Sequence, residues 1–389
     1  MAESVIPTYS PAERDRRWNL ARTFMTRENV DALIVFGEHE DSGPAPFYLD
    51  TWFTNGRPGS TIVLSRTGEP LELVPYHLCI TDHMESARRG DAVWTKPENF
   101  RIGRDGVVLS DTLIELQLAQ STIGVVGLDV APPWHPEGLI PYSLWAKVLT
   151  RLPDATFKLV GERFSLLVMP QSEEELQVVR HAAMIGDEMC RAMVQAARPG
   201  VSESAVVAAG MTIAYERGTH VPLMHLWSGA EPAASGMPPW SYRPQAPRTL
   251  QEEIERAAAI ARACYDAGLR TLRPGIRFEE VCSQMLKPVL EAGGWTRGPQ
   301  IHSLNPLLAL CGRPTKLEQL EGAERYPDVG TAPTLLADME LEPGMTFAFE
   351  PSCAFGRHLV TIGGTVIVGR DGPIELNPFT AQLHRVRTK

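Results

Sequence analysis

The feature that most constrains this chain is an internal repeat whose two halves finish differently. Arg198-Pro199-Gly200-Val201 returns as Arg273-Pro274-Gly275-Ile276, and at the same offset Gly218 returns as Gly293. Each copy follows one helical pattern and opens a second that a glycine stops. Two copies of helix, Arg-Pro-Gly turn, helix and Gly stop predict a domain with internal pseudo-two-fold symmetry. The halves then diverge. After Gly293 the chain reads as strands, whereas the interval from Gly218 to the helix start near Glu252 is short and rich in Pro and Ala. A strand hairpin is therefore expected to be missing from the first half.

The residues before the repeat read as an α/β domain. Ser10 stands as a possible N-cap before Pro11 and a charged helix to about residue 30. Ala32 to Phe36 and Ile123 to Leu128 are apolar runs expected as buried strands. Phe47-Tyr48-Leu49 and Thr61 to Leu64 read as further short strands, and Arg66-Thr67-Gly68-Glu69 as the turn of a hairpin into Leu71 to Val74. Tyr142 to Leu152 is helical and Thr156 to Val160 a strand. Ser172-Glu173-Glu174-Glu175 is a capping box opening a long helix. Later, Met345 to Glu350 and Val360 to Val368 read as strands divided by a Cys-Ala-Phe-Gly turn. Asp371-Gly372 marks a last hairpin, and 312–338 a surface loop. The expected domains are 1–165 (α/β) and 166–389 (α+β, holding the repeat).

Composition narrows the function classes. A net charge of -10 argues against a nucleic-acid partner. No apolar run is long enough to span a membrane, and the first residues, with Glu3 and Glu13, do not read as a signal peptide. Six cysteines without a C-x-x-C pair fit reduced thiols in a cytoplasmic protein. The phosphate-loop, dinucleotide-binding, HExxH and GxSxG signatures are absent. His220 and His225 are five apart, a spacing that would not put them on one helix face as paired metal ligands.

Glu342-Pro343-Gly344-Met345-x-Phe347-x-x-Glu350-Pro351 closely matches the EPGMxFxxEP signature of the pita-bread superfamily of aminopeptidase P, prolidase, methionine aminopeptidase and creatinase. Gln171-Ser172-x-x-Glu175-Leu176 is similar to that family's domain junction, Thr365 to Gly372 to its closing hairpin, and the repeat to its pseudo-two-fold. The resemblance covers nearly the full chain. It implies a creatinase-like N-terminal domain, a pita-bread C-terminal domain, a homodimer, and a small-molecule or short-peptide substrate.

The resemblance also implies two divalent ions, Mn, Co or Zn, held by two Asp, one His and two Glu. This sequence departs from that set almost throughout. No Asp occurs between Asp187 and Asp266, Glu350 stands at the first glutamate, Gly363 at the second, and Pro299 where the histidine belongs, with His302 nearby but out of register. The expectation is therefore a site without metal or other cofactor. Creatinase, by resemblance, implies that the fold can hydrolyse a C–N bond without metal. The candidate catalytic residues are then Glu350 as the buried carboxylate and His302, His225 and His358 as acid or base. Trp227, Trp240 and Tyr242, with Trp295, are candidates for lining the cleft, and Arg357 for binding substrate. Each has a plainer reading: Glu350 as a sheet residue paired with Arg357, His302 as a loop cap, His358 as an exposed strand residue, the aromatics as packing of a Pro-rich connector. His39-Glu40-Asp41 reads as a solvated loop or one that gates substrate. Two further readings stay open: a catalytically silent binding or scaffold homologue, and a dinuclear Xaa-Pro aminopeptidase whose metal hairpin is absent from this sequence.

Overall fold

The computed structural model describes residues 6–38, 49–56, 58–129, 137–219, 221, 224–227, 252–327 and 330–386. The chain divides into two compact units, Met1–Glu175 and Leu176–Lys389. That division falls ten residues beyond the 165/166 boundary read from the sequence. The segment between carries the capping box, in which Ser172 N donates to Glu175 Oε2 at 2.8 Å and Glu175 N to Ser172 Oγ at 3.1 Å. Glu175 also accepts from Trp52 Nε1 at 3.1 Å and pairs with Arg17 at 3.2 Å, which ties the junction to the first unit.

The first unit opens with α1 (Pro11–Glu28), capped by Ser10 Oγ accepting from Glu13 N and closed by Asn29 in the left-handed region at φ 51°. Its six-stranded sheet runs β4 (Phe100–Ile102), β3 (Leu71–Val74), β2 (Thr61–Ser65), β1 (Ala32–Phe36), β5 (Thr122–Val126) and β6 (Thr156–Leu159). β1 pairs antiparallel with β2 and parallel with β5. Leu33 and Val35 enter the core on one face with Phe24, Phe53 and Phe164, while Ala32, Ile34 and Phe36 enter the other with Leu109, Leu113 and Val148. Burial on both faces is why β1 is apolar at every position rather than at alternate ones. One expectation is corrected: Leu49 starts α2 (Leu49–Thr54) instead of ending a strand. Asp50 in that helix is fully buried and accepts from Gly59 N and Ser60 N at 2.8 and 2.9 Å, contacts that a strand at this point would not make. Phe47, Tyr48 and the His39-Glu40-Asp41 cluster lie outside the described residues.

The second unit holds the helices α7 (Glu173–Ala196), α8 (Glu203–Glu216), α9 (Glu252–Thr271) and α10 (Phe278–Glu291). The earlier helices α3 (Leu78–Arg89), α4 (Gly106–Glu115), α5 (Tyr142–Arg151) and α6 (Gly161–Val168) belong to the first unit. Gly200 and Gly275 have φ of 83° and 80°, and Gly218 and Gly293 have 75° and 72°. Each therefore sits where a side chain would strain the backbone. Most of the interval after α8, 228–251, lies outside the described residues.

A four-stranded antiparallel sheet follows, in the order β12 (Pro373–Glu375), β11 (Gly364–Val368), β8 (Thr346–Phe349) and β7 (Ile301–Ser303). A separate pair joins β9 (Ser352–Phe355) to β10 (His358–Thr361). Two sequence readings change here. Cys353, Ala354 and Phe355 are strand, with the turn at Gly356, φ 53°. The run Val360 to Val368 is broken at Gly363, whose N–H leaves the ladder to bond Thr380 O at 3.2 Å. The 312–338 loop contains two short 3-10 turns and is pinned by bridges between Arg313 and Ala332 and between Leu310 and Leu335.

Register divides the four-stranded sheet into two unlike faces. Ile301, Phe349 and Gly364 share one row, His302, Ala348 and Thr365 the next, and Ser303, Phe347 and Val366 the third. Directly opposed residues project to the same side and rows alternate. Ile301, Phe347, Phe349 and Val366, all fully buried, therefore face α9 and α10. Phe278 stacks on Phe347 at 5.7 Å and Tyr265 meets Phe349 edge-on at 5.4 Å. Gly268 permits that approach, since a Cβ there would lie 2.5 Å from Phe349 Cε2. His302, Ala348 and Thr365 are left on the other face.

Candidate functional site

The polar face of the second unit's sheet carries the candidate site. Glu350 follows β8 directly, held in the ladder by its N–H to Gln300 O at 2.9 Å. Its carboxylate is half exposed rather than buried, against the expectation from the sequence, because it sits at the end of β8; its Oε2 lies 3.5 Å from Nε2 of His302, whose side chain is only 17% exposed. The other imidazole nitrogen, Nδ1, lies 2.9 Å from Ser303 O. A carbonyl can only accept, so Nδ1 carries a proton and Nε2 is the nitrogen turned to the carboxylate. Ser303 is itself fixed: its hydroxyl donates to Pro306 O at 2.7 Å and accepts from Leu308 N at 2.9 Å.

The pair shifts the titration of both members. Burial draws His302 down, but its hydrogen bond to Glu350, the carboxylate charge and the Ser303 carbonyl outweigh burial and hold it above the ordinary histidine value. Burial pushes Glu350 up, and the hydrogen bond and charge of His302, with a contribution from His225, bring it below the usual carboxylate range. The arrangement thus favours an imidazolium beside a carboxylate. It can donate a proton from Nε2 and hold a polar or cationic group at the free oxygen of Glu350.

Three of the four sequence-derived catalytic candidates thus come together: Glu350, His302 and His225, the last exposed and within Coulombic reach of Glu350. His358 does not join them; it sits on β10 opposite Phe355. Arg357 lies in the turn between β9 and β10. Trp227 is 48% exposed, two residues from His225. Trp240 and Tyr242 lie outside the described residues. Trp295 is corrected from cleft to core: it is buried, bridges Ala354, and donates from Nε1 to Gly356 O at 3.2 Å.

Sequence reasoning passed over Gln300, Ser303 and Thr365. Gln300 is buried beside the pair and donates to Ser352 O at 2.9 Å. Alternation back from His302 would have found it.

Among the described residues, no three His, Cys, Asp or Glu side chains converge as a metal ion would need. At Gly363 a Cβ would fall 2.1 Å from Phe349 O, so that backbone has no room for a ligating side chain.

No family model matches the chain, and no curated protein matches it. Solved structures do. The dipeptidase PepE from Mycobacterium ulcerans is 16% identical, with a TM-score of 0.69 over 97% of this chain and 99% of its own. A dipeptidase from Pyrococcus horikoshii OT3 is 15% identical, with a TM-score of 0.64 over 94% and 97%. The Xaa-Pro dipeptidase from Bacillus anthracis is 14% identical, with a TM-score of 0.62 over 94% and 98%.

Proposed function

From the pita-bread fold that this chain has in common with those dipeptidases and prolidases, we propose that it is a hydrolase that cleaves a C–N bond of a small molecule or short peptide without metal. The observation that carries this reading is the His302–Glu350 pair on the polar face of the sheet, with His225 within Coulombic reach of Glu350. Water adds to the carbonyl carbon as His225 takes its proton. The C–N bond then breaks as His302 Nε2 gives its proton to the leaving nitrogen, yielding an acid and an amine. Glu350 keeps His302 charged and receives the substrate's N–H or ammonium group.

A dinuclear reading is disfavoured by the donor set. One carboxylate and one out-of-register imidazole cannot offset two divalent charges, and Gly363 has no room for a second carboxylate. The sequence also holds no Asp between Asp187 and Asp266, where the two Asp ligands would be expected. Six free cysteines fit a reducing, cytoplasmic setting, and a homodimer is the assembly we expect. The test is turnover of dipeptides and small amides by the purified protein with and without chelator, in wild type, Glu350→Gln and His302→Ala. Chelator-resistant activity lost in both variants supports the reading. Unchanged turnover in both variants, or activity that needs stoichiometric Mn, Co or Zn, overturns it.

A further inference from the structure

Across the central strand from His302, the same row of the sheet ends in Thr365. Ala348 lies between them. The position between these polar groups thus holds only a methyl group. Ala348 is only partly buried although β8 is an inner strand, while its neighbours Phe347 and Phe349, on the other face, are fully buried. Its accessible surface therefore opens on the polar side. With only that methyl group between them, His302, Glu350 and Thr365 leave a hollow over Ala348 on this face. Two strand spacings, about 10 Å between Cα atoms, separate His302 from Thr365.

Charge decides what such a hollow takes. Beside Glu350, His302 is held above the ordinary histidine value, so a lone anion meets the carboxylate and a lone cation meets an imidazole drawn toward its charged form. A neutral group with a donor at one end and an acceptor at the other fits both, and the Thr365 hydroxyl supplies an uncharged donor. Among the described residues that hydroxyl has no hydrogen-bond partner, the backbone N–H of Thr365 being the group bound to Asn377 Oδ1 at 3.0 Å.

We propose that this hollow is a carboxamide subsite, in which the Thr365 hydroxyl donates to the carbonyl oxygen and Glu350 accepts the amide N–H. It rests on the hydrolase reading for its purpose, and makes Thr365 a substrate-positioning residue. The test reads binding rather than turnover. Full-length protein labelled with 15N-histidine is titrated with N-methylacetamide, acetate and methylammonium, following the His302 Nε2 resonance, assigned by its loss in His302→Gln. N-methylacetamide should shift it saturably, and more tightly than either ion. Thr365→Val should weaken that binding about tenfold, as loss of one hydrogen bond implies; Thr365→Ser should retain it; Ala348→Leu should abolish it by filling the floor. Wild-type affinity in both Thr365→Val and Ala348→Leu, equal binding of the ions, or no saturable shift in the wild type overturns the subsite. Loss of turnover in Glu350→Gln alongside unaltered amide binding in Thr365→Val would sink the subsite alone. Amide binding without any hydrolysis would sink only the hydrolase.

Discussion

His302 and Glu350 each favour the other's charged form: Nε2 stands 3.5 Å from Oε2 while Nδ1 is committed to Ser303 O at 2.9 Å. The second contact matters as much as the first. With Nδ1–H spent on a carbonyl, a neutral His302 would turn a lone pair toward a carboxylate, so protonation at Nε2 is favoured by both partners. Removing the carboxylate charge in Glu350→Gln leaves burial as the main influence. The His302 titration should then move to lower pH, and an NMR titration of the imidazole reads this directly. An unmoved midpoint would mean that Glu350 does not set the charge of His302.

A second titration belongs to the first unit. Burial pushes Asp50 up to about 6 and Glu72 up to about 7, in each case against hydrogen bonds that favour the ion: from Ser60 and Gly59 to Asp50, and from Thr95 Oγ1 at 2.6 Å to Glu72. The charge of Asp50 adds to the effect on Glu72, and Arg104 lies near Asp50. A carboxyl whose folded value exceeds its unfolded one binds protons more tightly when folded. Stability should therefore fall as pH rises from about 4 to about 7. Glu72→Gln should gain about 2 kcal/mol at pH 8 and much less at pH 5, measured by urea unfolding followed through tryptophan fluorescence. Equal effects at both pH values would refute the sign.

Gly363 offers a sharper test of the metal argument. Its Cβ position collides with Phe349 O at 2.1 Å and Phe349 C at 3.1 Å, both backbone atoms that cannot swing aside. Gly363→Ala should cost about 2–4 kcal/mol, read as a fall in thermal midpoint. Gly363→Glu, which places there the glutamate that the sequence resemblance implies, should gain no affinity for Mn2+ in equilibrium dialysis. Stoichiometric uptake would show that the backbone can yield and would favour the dinuclear reading.

The sequence reveals elements wherever local chemistry decides them. The Ser10 and Ser172 caps, the Asp371-Gly372 hairpin and the continuous apolar run of β1 were all legible, because cap geometry, turn residues and two-sided burial act within a few residues. The failures have non-local causes. Leu49 starts a helix because Asp50 binds backbone nine and ten residues away. The strand break at Gly363 depends on Thr380 and Phe349. At the site, Glu350 was found from its motif and His302 from its neighbourhood. His225 was named as one loop histidine among several, and Thr365 was not singled out as a site residue. Only the register across β7, β8 and β11 puts Thr365 in the row of His302.

The last prediction separates burial from distance. Arg16 and Arg17 both pair with Glu13, at 2.8 and 2.7 Å. Arg16 is 37% exposed, whereas Arg17 is 3% exposed, donates to Trp52 O at 3.2 Å and lies 4.1 Å from the Tyr9 ring centroid. Water substitutes for the partner of an exposed charge but cannot reach a buried one. Arg17→Ala leaves the buried Glu13 and Glu175 with only the partly exposed Arg16, which reaches them at 2.8 and 2.9 Å, and should cost about 3–5 kcal/mol. Arg16→Ala should cost about 1 kcal/mol or less. Urea unfolding of both variants at neutral pH checks the ratio. Comparable losses would show that contact distance, not desolvation, governs this cluster.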